Sequence, residues 1–157
     1  MADNCKILAK QFEAPIKATI AYCALYYVFL YLQAGVGHLQ FYLAKKKAES
    51  DAKAKGEKVV EKVSYGKIKY GAQSRDKISL TTQRTVGNLM EQAIPFLTSL
   101  WLHAVFVSPE SAANIAWIYI ITRAYYPIVF YLGLPYILFS TLPGYSCIFY
   151  LLYKLVA

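Results

Sequence analysis

The sequence predicts an all-α integral membrane protein, an antiparallel bundle of four transmembrane helices forming a single domain. Three observations predict it. Of 157 residues, 57% are hydrophobic and 17% charged, and mean hydropathy is +0.34; this composition excludes a disordered chain and argues against an ordinary soluble one. The charges are also concentrated, with 12 Lys/Arg and 5 Asp/Glu inside residues 45–84, while residues 18–44 and 124–153 carry none. Finally, a soluble fold of this size could not hide both uncharged stretches, because its surface-to-volume ratio would leave much of them in water.

Each span is counted against the roughly 20 apolar residues that cross a bilayer. The first helix is expected over residues 14–43, overlong and therefore tilted or projecting. The second, over residues 78–107, carries Arg84, Asn88 and Glu91 in its first half and an apolar run from Ala93 onward. Ser108, Pro109, Glu110 and Ser111 form a tight turn, with Ser111 as the expected cap of the next helix. The third, over residues 112–132, contains Arg123 and ends at Gly133-Leu134-Pro135. The fourth occupies residues 136–153, with Pro143-Gly144 expected to kink it.

Residues 45–77 form a basic loop. Its Ala, Lys and Glu can extend the first helix or build a short surface helix, but Gly56, Gly66 and Gly71 interrupt any long one. The positive-inside rule places it on the cytosolic, matrix or stromal face of an endoplasmic reticulum or organelle membrane. With a net charge of +8 lying beside apolar spans, the expected counter-charge is phospholipid headgroups, not nucleic acid. Cys5, Cys23 and Cys147 have no metal-ligand spacing, and His38 and His103 are isolated, so no metal site is expected. Many of the fifteen tyrosines fit the membrane interface.

Charged groups inside spans require a partner or a function. Arg84, Asn88 and Glu91 are spaced i, i+4, i+7 and share one helix face. Glu91 and Arg123 fall at similar depths, so a Glu91–Arg123 pair is the first expected contact. The cluster serves either as glue between two helices or as an anion site, with Arg84 and Asn88 as donors and tyrosine hydroxyls from the third helix completing it. No Walker, Rossmann, GxSxG or HExxH pattern occurs.

The run Arg84-Thr-Val-Gly-Asn88-Leu-Met-Glu91-Gln-Ala-Ile-Pro95 resembles the second-helix signature of the MAPEG family, membrane-associated proteins in eicosanoid and glutathione metabolism. Thr122-Arg123-Ala-Tyr-Tyr126-Pro-Ile-Val-Phe130-Tyr131 resembles its third-helix run. With the helix number and the basic loop, the resemblance spans most of the chain. It implies a homotrimer binding glutathione between neighbouring subunits, held by Arg84, Asn88, Glu91, Arg123 and Tyr126. A second tyrosine completes the set, falling on Phe130 in strict register and on Tyr131 with a one-residue shift.

The same resemblance implies an arginine near the start of the fourth helix that stabilises the glutathione thiolate. Leu138 or Phe139 stands there, and no Arg or Lys occurs within residues 124–153. Two expectations follow. One is a glutathione transferase or peroxidase of lipophilic substrates, with Arg123 or Lys45 supplying the cation. The other is a non-catalytic protein on the same fold, a lipid-binding partner or an accessory subunit of a larger membrane complex.

Overall fold

A computed structural model describes residues 7, 9–56, 63–66 and 76–157. Five long or short helices carry the fold among them: α1 Glu13–Lys55, α2 Lys77–Phe106, α3 Pro109–Ala124, α4 Tyr126–Leu132 and α5 Leu138–Tyr153. The described residues form no strand. Residues 57–62 and 67–75 of the basic loop, and Cys5, lie outside the described residues.

The first helix departs most from expectation. It continues through Lys45–47 to Lys55, because Ala, Lys and Glu are strong helix formers, and it stops where Gly56 turns left-handed at φ 68°. α2 matches its expected span to within a residue at each end. Its start is set by Asp76, whose side chain accepts from the Ser79 N–H. Ser108, not Ser111, caps α3; the Ser108 hydroxyl accepts from the Ser111 N–H, and Pro109 fills the first turn. The expected third helix is divided at Tyr125. Pro127 has no N–H to return to the Arg123 carbonyl, and it disfavours helical geometry in the residue before it. Gly133 ends α4 at φ 88°, and α5 starts two residues later than expected, then runs through Pro143.

Contacts fix the directions. Tyr22 donates to the Leu89 carbonyl and Gln40 to Asp76, so α1 and α2 run antiparallel. Asn88 meets Arg123 and Gln92 meets Tyr119, making α2 and α3 antiparallel. The Arg123–Ser140 and His103–Leu151 contacts place α5 alongside both, parallel to α2. The core centres on an aromatic stack: the Phe96 and Tyr119 rings lie 3.9 Å apart at 12°, with Tyr22 5.0 Å from Phe96. Ala112 and Ala116 on α3 keep the helices close around it.

Polarity is reversed relative to a soluble domain. Arg123 is 0% exposed, whereas Ile94 is 78% and Phe106 73% exposed, an apolar exterior that water would not tolerate over such an area. Two stretches, Glu13–Lys55 and Pro109–Leu132, are long and apolar enough to cross a membrane; Leu138–Tyr153 is apolar but shorter.

This arrangement predicts opposite outcomes for two neighbours on α2. Phe96→Ala should lower unfolding stability in lipid nanodiscs by about 3–5 kcal/mol. Ile94→Ala, facing outward, should stay within about 0.5 kcal/mol.

Candidate functional site

The first turns of α2 and the short α4 form the walls of a groove of about 670 Å³. α2 contributes Arg84, Gly87, Asn88 and Glu91, with Leu80 and Gln83 at one end, and α4 contributes Tyr126 and Phe130. The i, i+4, i+7 stripe thus lines one cavity. Arg84 and Glu91 are exposed, two turns or roughly 10 Å apart along the helix. Neither makes an ion pair among the described residues, where Glu13–Lys17 is the pair within 4.0 Å. The break at Tyr125 gives α4 its own start, and Tyr126 lies against the groove from there.

The expected Glu91–Arg123 pair does not form. Arg123 lies behind the groove, fully buried: Nη1 donates to Asn88 Oδ1 at 2.8 Å and Nη2 to the Ser140 carbonyl at 3.0 Å. Its guanidinium carbon stands 5.1 Å from the Tyr119 ring centroid and 5.9 Å from that of Tyr126. Nε has no partner. One turn from Glu91, the Asn88 carboxamide is the nearer acceptor because its α2 register points it across to α3, while Glu91 faces outward. Gly144 makes the seat possible, since a Cβ there would lie 1.6 Å from Arg123 Nη2. The Ser140 hydroxyl in turn donates to the Thr122 carbonyl, tying α5 to the turn that carries Arg123.

This network orients the groove wall. Asn88 Oδ1 accepts from Arg123 and, at 3.3 Å, from Gln92 Nε2, while Gln92 Oε1 accepts from the Tyr119 hydroxyl at 3.0 Å. Both donors to Asn88 come from the bundle side, so its NH₂ is left for the groove. The wall therefore offers a guanidinium, an amide donor and a carboxylate, with the Tyr126 side chain bordering them.

Of the residues expected at the site, Arg84, Asn88, Glu91 and Tyr126 share the groove. Arg123 supports it from behind. Phe130, not Tyr131, occupies the second aromatic position; the Tyr131 ring lies under Lys77 Nζ at 4.4 Å. Lys45 is exposed on the α1 extension and is not a groove residue. Sequence reasoning missed Gln92, Tyr119, Ser140 and Gly144. Gln92 lies four residues after Asn88 and Tyr119 four before Arg123, a same-face spacing that signals both. The Ser140 carbonyl leaves no mark in the side-chain pattern.

The model of the MAPEG family matches residues 18–157, nearly the whole chain, and the chain belongs to that family. Membership and the apolar helices together make it a membrane protein. No curated protein and no solved structure matches it.

Two substitutions separate support from ligand contact. Gly144→Ala should unseat Arg123 and lower the thermal midpoint in nanodiscs, a cost of about 3 kcal/mol for a guanidinium stripped of its partners. Asn88→Asp should keep or raise the midpoint, because its carboxylate pairs with Arg123. The same change removes the groove's amide donor and adds a negative charge, so an anionic ligand titrated by calorimetry should bind about tenfold or more weakly than to wild type.

Proposed function

We propose that this chain is a glutathione-binding membrane protein whose ligand lies in the groove of Arg84, Asn88, Glu91 and Tyr126. The observation carrying this reading is the presence, on one wall, of a guanidinium and a carboxylate that make no ion pair among the described residues, with an amide donor between them. Glutathione has two carboxylates, an ammonium and two peptide groups, which are the complements of those side chains. It is also the compound commonly used in the family. In this reading the residue 1–157 chain is one domain crossing the bilayer four times, with α3 and α4 as a single interrupted span. The exposed groove is completed by a neighbouring subunit of a homotrimer, and the basic loop lies on the cytosolic, matrix or stromal side.

The arrangement favours holding glutathione over activating it. A free thiol has a pKa of ~8.5 and needs a nearby cation to become a nucleophile at neutral pH. Arg123 is sealed and committed to Asn88 and Ser140, and Leu138 and Phe139 are exposed apolar side chains at the start of α5. Such a protein would act as a non-catalytic ligand-binding subunit in a larger membrane assembly. One feature supports turnover instead: Arg84 is an exposed cation on the groove itself, and a thiolate beside it would attack lipophilic electrophiles arriving from the bilayer.

Titration of the detergent-purified protein with glutathione separates these readings, using calorimetry for binding and difference absorbance for thiolate. Binding lost in Arg84→Ala and in Glu91→Ala is the expected result. Binding without thiolate marks a holding site, and thiolate that disappears with Arg84 marks a transferase. Wild-type protein that shows no binding would make the cluster structural.

A further inference from the structure

Building on the groove reading above, we propose that Lys77 lengthens the site by one turn of α2 and selects ligands that carry a second carboxylate beyond the one held at Arg84. Lys77 lies seven residues before Arg84 and three before Leu80, the groove residue nearest the start of α2. Seven residues are close to two full turns, so Lys77, Arg84 and Glu91 follow one another along the same side of the helix, each roughly 10 Å from the next. The order is cation, cation, anion.

The Lys77 ammonium is held at the end of the groove. Nζ stands 4.4 Å from the centroid of the Tyr131 ring, and Tyr131 follows Phe130 of the groove wall on α4. An exposed lysine in the first turn of a helix would otherwise sweep a wide arc, and the ring face keeps it on the α4 side. A ring restrains a cation without cancelling its charge as a carboxylate would. Asp76, adjacent in sequence, is turned toward α1: its carboxylate accepts from Gln40 and from the Ser79 N–H. It makes no ion pair with Lys77 among the described residues.

Charge placement decides which way a ligand runs. With its ammonium at Glu91 and its first carboxylate at Arg84, a peptide can extend along α2 in one of two directions. Past Glu91, residues 92–109 carry no Lys or Arg, and Ile94 in the next turn is 78% exposed on the apolar exterior, so an anion there would stand in hydrocarbon without a partner. Toward the start of α2 it meets Lys77 and the positive end of the helix dipole. An extended tripeptide spans at most about 10–11 Å, which matches the rise from Arg84 to Lys77. A ligand with two carboxylates is then held at both ends, and its monoester at one.

The test is calorimetric titration of the detergent-purified full chain with glutathione and with its glycyl monoethyl ester. Wild type should bind glutathione about fivefold more tightly than the ester, the effect of one exposed ion pair, and the preference should shrink as salt is added. Lys77→Met should bind both ligands alike, with the wild type's affinity for the ester, and Lys77→Arg should restore the preference. Tyr131→Leu, which removes the restraint but not the charge, should keep most of it, separating a ligand contact from a clasp between α2 and α4. Equal affinity of wild type for the two ligands, a preference that survives in Lys77→Met, or an equal loss for both ligands in that variant would overturn the proposal and leave the groove reading standing. Wild-type protein that binds neither ligand would overturn both.

Discussion

A guanidinium enclosed within a membrane bundle has to find its solvation in the protein, and Arg123 finds it on three sides. Asn88 on α2 and the carbonyl of Ser140 before the second turn of α5 accept its two terminal nitrogens. The rings of Tyr119 and Tyr126 present their faces to its charge. Among the described residues no carboxylate lies within ion-pair distance, so the compensation comes from oriented dipoles and π-systems, each worth more where water is absent. The seat demands specific neighbours: glycine at 144 for room, serine at 140 to bind the Thr122 carbonyl, and a helix interruption at Tyr125 that turns Tyr126 beneath the charge. The directions of α2, α3 and α5 converge on that one side chain.

The groove inherits its character from the same arrangement. Because Arg123 takes the oxygen of Asn88, that residue turns its donors outward. Because Arg123 does not take Glu91, the carboxylate stays on the groove wall with Arg84. The two arginines of the transmembrane region therefore divide their roles. The buried one holds helices and orients a neighbour, and the exposed one lines the groove with no ion pair among the described residues. A Glu91–Arg123 pair would have neutralised both groups and left a wall with a cation but no anion.

Much of this was legible in the chain. The uncharged stretches mark the helices, and the i, i+4, i+7 stripe marks the groove face, since helical periodicity alone brings Arg84, Asn88 and Glu91 to one side. The family resemblance rests on the same residues. The length of α1 was less legible, because Lys45 to Lys55 read as loop by charge and as helix by propensity, and propensity prevailed up to Gly56. The division at Tyr125 was written in Pro127 but was outweighed by an unbroken apolar run. Depth matching suggested the wrong partner for Arg123: similar depth on facing helices places Glu91 and Asn88 equally well, and one turn of rotation decides between them.

The sequence by itself determined that the protein is helical and membrane-embedded, which family it belongs to, and which α2 residues share a face. These follow from composition, periodicity and local spacing, and all are properties of one segment at a time. The tertiary structure alone decided which acceptor takes Arg123, which way the Asn88 amide points, that Phe130 and not Tyr131 borders the groove, and that the Tyr65 hydroxyl comes against Gly37. Each of these depends on the relative rotation of two packed helices or on a backbone carbonyl, and neither is encoded in the spacing of side chains along a single one.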